Sequence, residues 1–151
     1  MCGFAGFIDL GCATSKEELQ ATALRMAETL RHRGPDDSGV WADPAAGVAL
    51  GSRRLAILDL SPAGHQPMVS TSGRYVIAYN GEIYNFEELR RELLRGSPEC
   101  LAYRGHSDTE VILAAYARWG KEMVKRFNGM FALAIWDRQE KELFLARDHA
   151  G

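Results

Sequence analysis

Met130-Phe131-Ala132-Leu133-Ala134-Ile135-Trp136 and Leu143-Phe144-Leu145-Ala146 are two apolar runs separated by a polar turn that starts at Asp137 and ends at Lys141. Two strands joined by so short a link can pair only antiparallel, since a parallel pair needs a long crossover. Working back from them, Tyr75-Val76-Ile77-Ala78-Tyr79 reads as another strand, and it runs into Asn80-Gly81, a dipeptide suited to a tight hairpin turn. Further strands are expected through Val40-Trp41, over residues 48–52 and 55–58, with a turn at Asp43-Pro44, and a short buried strand over residues 3–9. Ser61-Pro62-Ala63-Gly64 reads as a loop.

Helical signals fall between these strands rather than alternating with them. Ser15 and Glu18 have the spacing of a capping box, and Leu19, Ala23, Met26 and Leu30 form one apolar stripe that Gly34-Pro35 should stop. Asn85 with Glu88 and Ser107 with Glu110 frame two more capping boxes, each followed by apolar residues at helical spacing. A short helical turn is expected before Asn128-Gly129. Consecutive strands with segregated helices predict an α+β domain of antiparallel sheets in a layered sandwich.

The 151 residues, 46% of them hydrophobic, suffice for one buried core and suggest one domain over 1–151. Eighteen basic against twenty acidic residues leave a net charge of −2 with no basic stripe, which argues against nucleic acid or an anionic membrane as partner. No apolar stretch is long enough for a transmembrane helix or resembles a signal peptide, so a cytoplasmic protein is expected. Cysteines at 2, 12 and 100 show no paired spacing, and the histidines at 32, 65, 106 and 149 share no helix face. Neither a disulfide framework nor a metal site is expected.

The chemistry concentrates at Met1-Cys2-Gly3. Removal of Met1 would place a thiol and a free α-amine on one Cα. An amine titrating near ~8 can accept the proton of a thiol titrating near ~8.5 as attack begins. N-terminal threonine hydrolases use the same arrangement.

Five segments together carry a resemblance: Cys2-Gly3-Phe4-Ala5-Gly6, Arg31-His32-Arg33-Gly34-Pro35-Asp36, Arg53-Arg54-Leu55-Ala56-Ile57-Leu58-Asp59-Leu60, Asn80-Gly81-Glu82-Ile83-Tyr84-Asn85, and Ser107-Asp108-Thr109-Glu110. In order and spacing they resemble the glutamine-hydrolysing domain of class II amidotransferases, and in particular that of glutamine-dependent asparagine synthases. The resemblance implies a four-layer αββα sandwich, truncated at its C-terminal end, and a thioester route from glutamine to ammonia. It implies Cys2 as nucleophile, and Asn80 and Gly81 as the oxyanion hole. Arg54 would bind the substrate α-carboxylate, and Asp108, with Glu82 beside it, the α-ammonium; backbone groups of Leu55, Ile57 and Leu58 would line the pocket.

The same resemblance implies no cofactor in this domain. ATP and magnesium belong to a C-terminal synthetase domain that receives the ammonia, with aspartate the default acceptor, and such enzymes often form homodimers. Arg147-Asp148-His149-Ala150-Gly151 departs mildly from the asparagine synthase pattern, which leaves the acceptor open. A non-catalytic glutamine-binding or interaction module is the alternative, because a retained Met1 or the truncation would disable the nucleophile.

Overall fold

The computed structural model describes residues 2–56, 64–96 and 103–150. Their elements are β1 (Gly3–Ile8), α1 (Lys16–Glu28), β2 (Asp37–Asp43), β3 (Val48–Arg54), β4 (Met68–Val69), β5 (Tyr75–Ile83), α2 (Phe86–Gly96), α3 (Asp108–Trp119), a 3₁₀ helix (Gly120–Arg126), β6 (Gly129–Asp137) and β7 (Glu142–Arg147). Every strand pairing is antiparallel, in two sheets ordered β1-β3-β2 and β4-β5-β6-β7.

Period-two alternation on the central strands builds the layers. On β3, Val48 and Leu50 face the second sheet, where they meet Val76, Ala78, Ala134 and Trp136; Ala49 between them faces α1, against Leu19 and Ala23. On β5 and β6 the other parity, Ile77, Tyr79, Leu133 and Ile135, packs on Leu89, Leu93, Val111, Ile112 and Met123 of α2, α3 and the 3₁₀ helix. The result is α1, sheet, sheet, then α2 with α3: the expected four-layer αββα sandwich. Complete burial of Ile77, Ile112, Leu133 and Ile135 contributes about 1.5–3 kcal/mol each against the entropy of ordering the chain. Gly51 has no side chain because a Cβ there would sit 2.6 Å from Ala23 O, so α1 lies directly on β3.

Several local expectations change. The Ser15–Glu18 capping box forms in both directions, but α1 ends at Glu28, well before Gly34. Thr29 Oγ1 turns back to Met26 O, and tight turns then carry residues 29–33 toward β1. The buried stripe is Leu19, Ala23 and Ala27, leaving Met26 and Leu30 half-buried. Strand β1 is an edge strand with Gly6 and Ile8 exposed, so it is half-buried rather than buried.

Asn80-Gly81 is no hairpin turn: both residues lie inside β5, paired with Ala132 and Phe131. Asn85 does not cap α2 with its side chain, which instead donates to Arg126 O at 2.9 Å and accepts from Asn128 N at 3.0 Å. Ser107 is the N-cap of α3 without a side-chain bond, while Glu110 accepts the Arg104 and Gly105 amides. The strand expected over 55–58 is absent at Leu55 and Ala56, because β3 stops at Arg54; Ile57 and Leu58, and the loop at Ser61-Pro62-Ala63, lie outside the described residues.

Candidate active site

Cys2 directly precedes β1, and Gly3 pairs with Arg53 at the end of β3, so sheet register brings the start of the chain against Leu55. The Cys2 thiol accepts the Leu55 N–H at 3.3 Å and lies 3.6 Å from Leu55 O, while Arg33 Nε donates to Cys2 O at 3.1 Å. Arg53 is buried, with Nε on Gly34 O at 2.9 Å and Nη1 on Glu28 Oε1 at 3.0 Å. A Cβ at Gly34 would lie 2.5 Å from the Arg53 carbonyl carbon, so only glycine lets this segment close over β3. Asp36 completes the clasp by accepting the Ala56 amide at 2.9 Å. Residues 33–36 therefore hold both the thiol's own backbone and the turn that meets its sulfur.

A short neighbour opens one edge of β5. Strand β4 contributes two residues, opposite Ile77 and Val76, so among the described residues β5 beyond them has no strand on that side. Amides at i and i+2 of a strand point to the same edge. Tyr79 N–H meets Gln66 Oε1 at 2.7 Å, and Ile83 N–H meets Asp108 Oδ2 at 3.1 Å. The alternation directs Gly81 N–H to that same edge, between these two bonds, and Phe131 opposite it turns its own N–H and C=O to Asp148. Gly81 has φ 154°, and a Cβ there would collide with Met130 O, so β5 and β6 approach closely at this point.

The open edge faces a cleft of about 630 Å³, open solvent included, lined by Cys2, Arg54, Leu55, Asn80, Gly81, Glu82 and Asp108. Asn80 Oδ1 and Ser107 Oγ, on two of the lining residues, are buried without a partner among the described residues. Each such atom is costly to bury dry, by about 1–3 kcal/mol. Arg54 packs under Gly64, where any Cβ would strike the guanidinium. Asp108 is 4% exposed at the first position of α3 and accepts the Tyr79 hydroxyl at 2.7 Å. Burial pushes its carboxyl above the ordinary range and the nearby Glu82 adds to this, against the bonds from Tyr79, Ile83 and Thr109.

A family model described as the glutamine amidotransferase domain matches residues 1–151. The chain belongs to that family. The amidotransferase domain is 43% identical over 158 residues to asparagine synthetase [glutamine-hydrolyzing] 3 of Bacillus subtilis, covering 100% of this chain and 24% of that protein. It is 39% identical over 151 residues to asparagine synthetase B of Escherichia coli K12, again over 100% of this chain and 26% of the other. The chain thus spans about a quarter of the length of these curated relatives. Among solved structures, the glutamine phosphoribosylpyrophosphate amidotransferase of B. subtilis has the same fold, with TM-score 0.75 at 19% identity over 98% of this chain and 37% of that one.

In the amidotransferase domain, Cys2, Arg54, Leu55, Asn80, Gly81, Glu82 and Asp108 come together in one cleft although they span 106 positions between Cys2 and Asp108. Ile57 and Leu58 lie outside the described residues. Six further residues line the cleft without having been singled out as site residues: Gly64, Gln66, Tyr79, Ser107, Thr109 and Met130. Tyr79 reads in the sequence as a strand residue, and nothing in its spacing announces a bond to a carboxylate 29 positions away. Gln66 carries no pattern at all; only the two-residue length of β4 gives it a role.

Proposed function

We propose that this chain is the glutamine-hydrolysing part of an asparagine synthetase-type enzyme, a reading carried by the convergence of Cys2, Asn80, Gly81, Arg54 and Asp108 on one cleft. With Met1 removed, the Cys2 α-amine takes the thiol proton as sulfur attacks the side-chain carboxamide carbon of glutamine. The developing oxyanion is received by the Asn80 side-chain amide and the Gly81 N–H, each worth about 3–4 kcal/mol when aimed at that charge. Collapse breaks the C–N bond, the amine returns its proton to the departing ammonia, and water then hydrolyses the thioester to glutamate and free thiol.

Arg54 offers a forked donor to the α-carboxylate and Asp108 a carboxylate to the α-ammonium, so the substrate is held at the end opposite the reacting amide. This step uses no metal and no cofactor. The names of the relatives support a synthetase domain that uses the ammonia; ATP, magnesium and aspartate as its default reactants, a cytoplasmic location and a dimer are part of the proposal itself.

The test is intact mass spectrometry after exposure to a diazoketone analogue of glutamine, with Cys2→Ala as control. A chain lacking Met1 that gains one adduct, lost in the control and blocked by glutamine, supports the reading. Retained Met1 with no adduct, but measurable glutamine binding, would make this a non-catalytic module.

A further inference from the structure

We infer that Tyr79 is a positioning residue for substrate recognition: its buried hydroxyl locks the Asp108 carboxylate so that one oxygen is committed to the protein and the other is left for the substrate's α-ammonium. The inference rests on the glutamine reading above and deepens it at the ammonium end of the site.

Tyr79 and Asp108 are 3% and 4% exposed, and the hydroxyl donates to Oδ2 at 2.7 Å. Ile83 N–H donates to the same Oδ2 at 3.1 Å, which occupies that oxygen; among the described residues the Thr109 amide is the one further donor to the carboxyl, so Oδ1 keeps a lone pair for a cation. The tyrosine is itself fixed from its backbone. Its N–H is held by Gln66 Oε1 at 2.7 Å, and Gln66 Nε2 reaches Thr109 Oγ1 at 3.5 Å on the first turn of α3. A closed circuit thus runs from β5 through Gln66 to α3 and back through Asp108 to the tyrosine ring. The hydroxyl cannot shift without disturbing the helix that carries the carboxylate.

The charges around Asp108 make this donor consequential. Glu82 on β5 repels its ionised form, Arg54 lines the cleft from β3, and Cys2 lines it from just before β1. Ser107 Oγ, buried and unpartnered beside it, adds a neutral dipole. Burial pushes the Tyr79 phenol far above its ordinary value, with the Asp108 charge adding to this, so the group remains an O–H donor at every working pH. The donor stabilises the charged carboxylate against burial. A buried carboxylate that must attract an ammonium needs such a partner on its far side.

The experiment measures glutamine hydrolysis by the purified chain against pH, for wild type and Tyr79→Phe, together with inhibition by the glutamine analogue that lacks the α-amino group. Tyr79→Phe is expected to raise KM for glutamine about ten- to a hundred-fold at neutral pH. The defect should grow as pH falls, with kcat nearly unchanged and the inhibition constant of the desamino analogue unmoved. Adding Tyr79→Phe to Asp108→Asn should cost nothing further, since the hydroxyl acts through that carboxylate. A 3-fluorotyrosine at position 79 keeps the ring and strengthens the donor, so it should move KM and the acidic limb the opposite way, which serves if Tyr79→Phe does not fold.

An unchanged KM at every pH, an equal loss toward the desamino analogue, or a further loss on the Asp108→Asn background would each overturn the inference while leaving glutamine hydrolysis intact. Wild-type chain that neither binds nor hydrolyses glutamine would overturn the functional reading first.

Discussion

The Cys2 thiol accepts the Leu55 amide N–H at 3.3 Å, a contact that joins residues 53 positions apart. Because Leu55 follows β3 directly and Asp36 holds the next amide, the sulfur is placed by two sheet strands and a clasp rather than by its own freely rotating χ1. Preorganisation of this kind lowers the entropic part of the barrier to attack.

The thiol should therefore be essential while contributing little to folding. Cys2→Ser is expected to keep the thermal midpoint within a few degrees of wild type and to lower ammonia release by about a thousand-fold or more, and Cys2→Ala to abolish it. Coupled glutamate detection gives the rate and circular dichroism the midpoint. Appreciable turnover by Cys2→Ala would exclude the thioester route.

Asn80 should act on the chemical step rather than on substrate binding. Among the described residues its side chain makes no hydrogen bond at either end, so its N–H is not spent on holding the fold. Asn80→Ala should lower kcat about 10²–10³-fold with a much smaller change in KM. A change confined to KM would move Asn80 from the oxyanion hole to a substrate-binding role.

Asp108 carries a cost to stability that its proposed function explains. Burial, reinforced by the repulsion of Glu82, holds its carboxyl above the ordinary range despite the bonds from Tyr79, Ile83 and Thr109. The folded state therefore binds a proton more tightly than the unfolded chain, and stability from this group falls as pH rises between the two values. Asn at 108 cannot ionise and keeps an oxygen for Tyr79 and Ile83. Asp108→Asn should thus be more stable than wild type at pH 7, with the advantage vanishing in acid below the ordinary carboxylate range, and should raise KM for glutamine about a hundred-fold or more. Urea denaturation at the two pH values reads the first effect; a variant no more stable at pH 7 would contradict it.

The sandwich was legible in the sequence because residues 48–52, 75–79 and 130–136 are apolar runs of strand length and the link between β6 and β7 is short. Edges and ends were less so. The strand at 3–9 looked buried because its residues are apolar, yet an edge position leaves alternate side chains in solvent. Asn85 carried a cap signal that tertiary partners overrode, by bonding to residues 126 and 128, whereas Ser107 caps α3 by position alone and Glu110 bonds residues 104 and 105. At the site, residues inside recognisable motifs were found, whereas Gln66 and Tyr79 were not, since their roles come from the open edge of β5 and not from spacing along the chain.

Gly81 shows why local signals misread that edge. Asn-Gly favours positive φ, and the sequence implied a hairpin; the glycine does use positive φ, at 154°, but inside a strand that continues to Ile83. What demands glycine here is the close approach of β6, since a Cβ would collide with Met130 O and lie 2.6 Å from Phe131 Cα. Gly81→Ala must separate the two strands at the point where the Gly81 N–H is aimed into the cleft. Overpacking and strain at such a position cost about 1–3 kcal/mol, so the variant should unfold at clearly lower denaturant. Activity should fall further than stability explains, because the donor moves with the strand. Proton exchange at residues 79–83 separates the two: faster exchange there than in β3 would place the damage at the β5–β6 contact, and uniform acceleration would mean only global destabilisation.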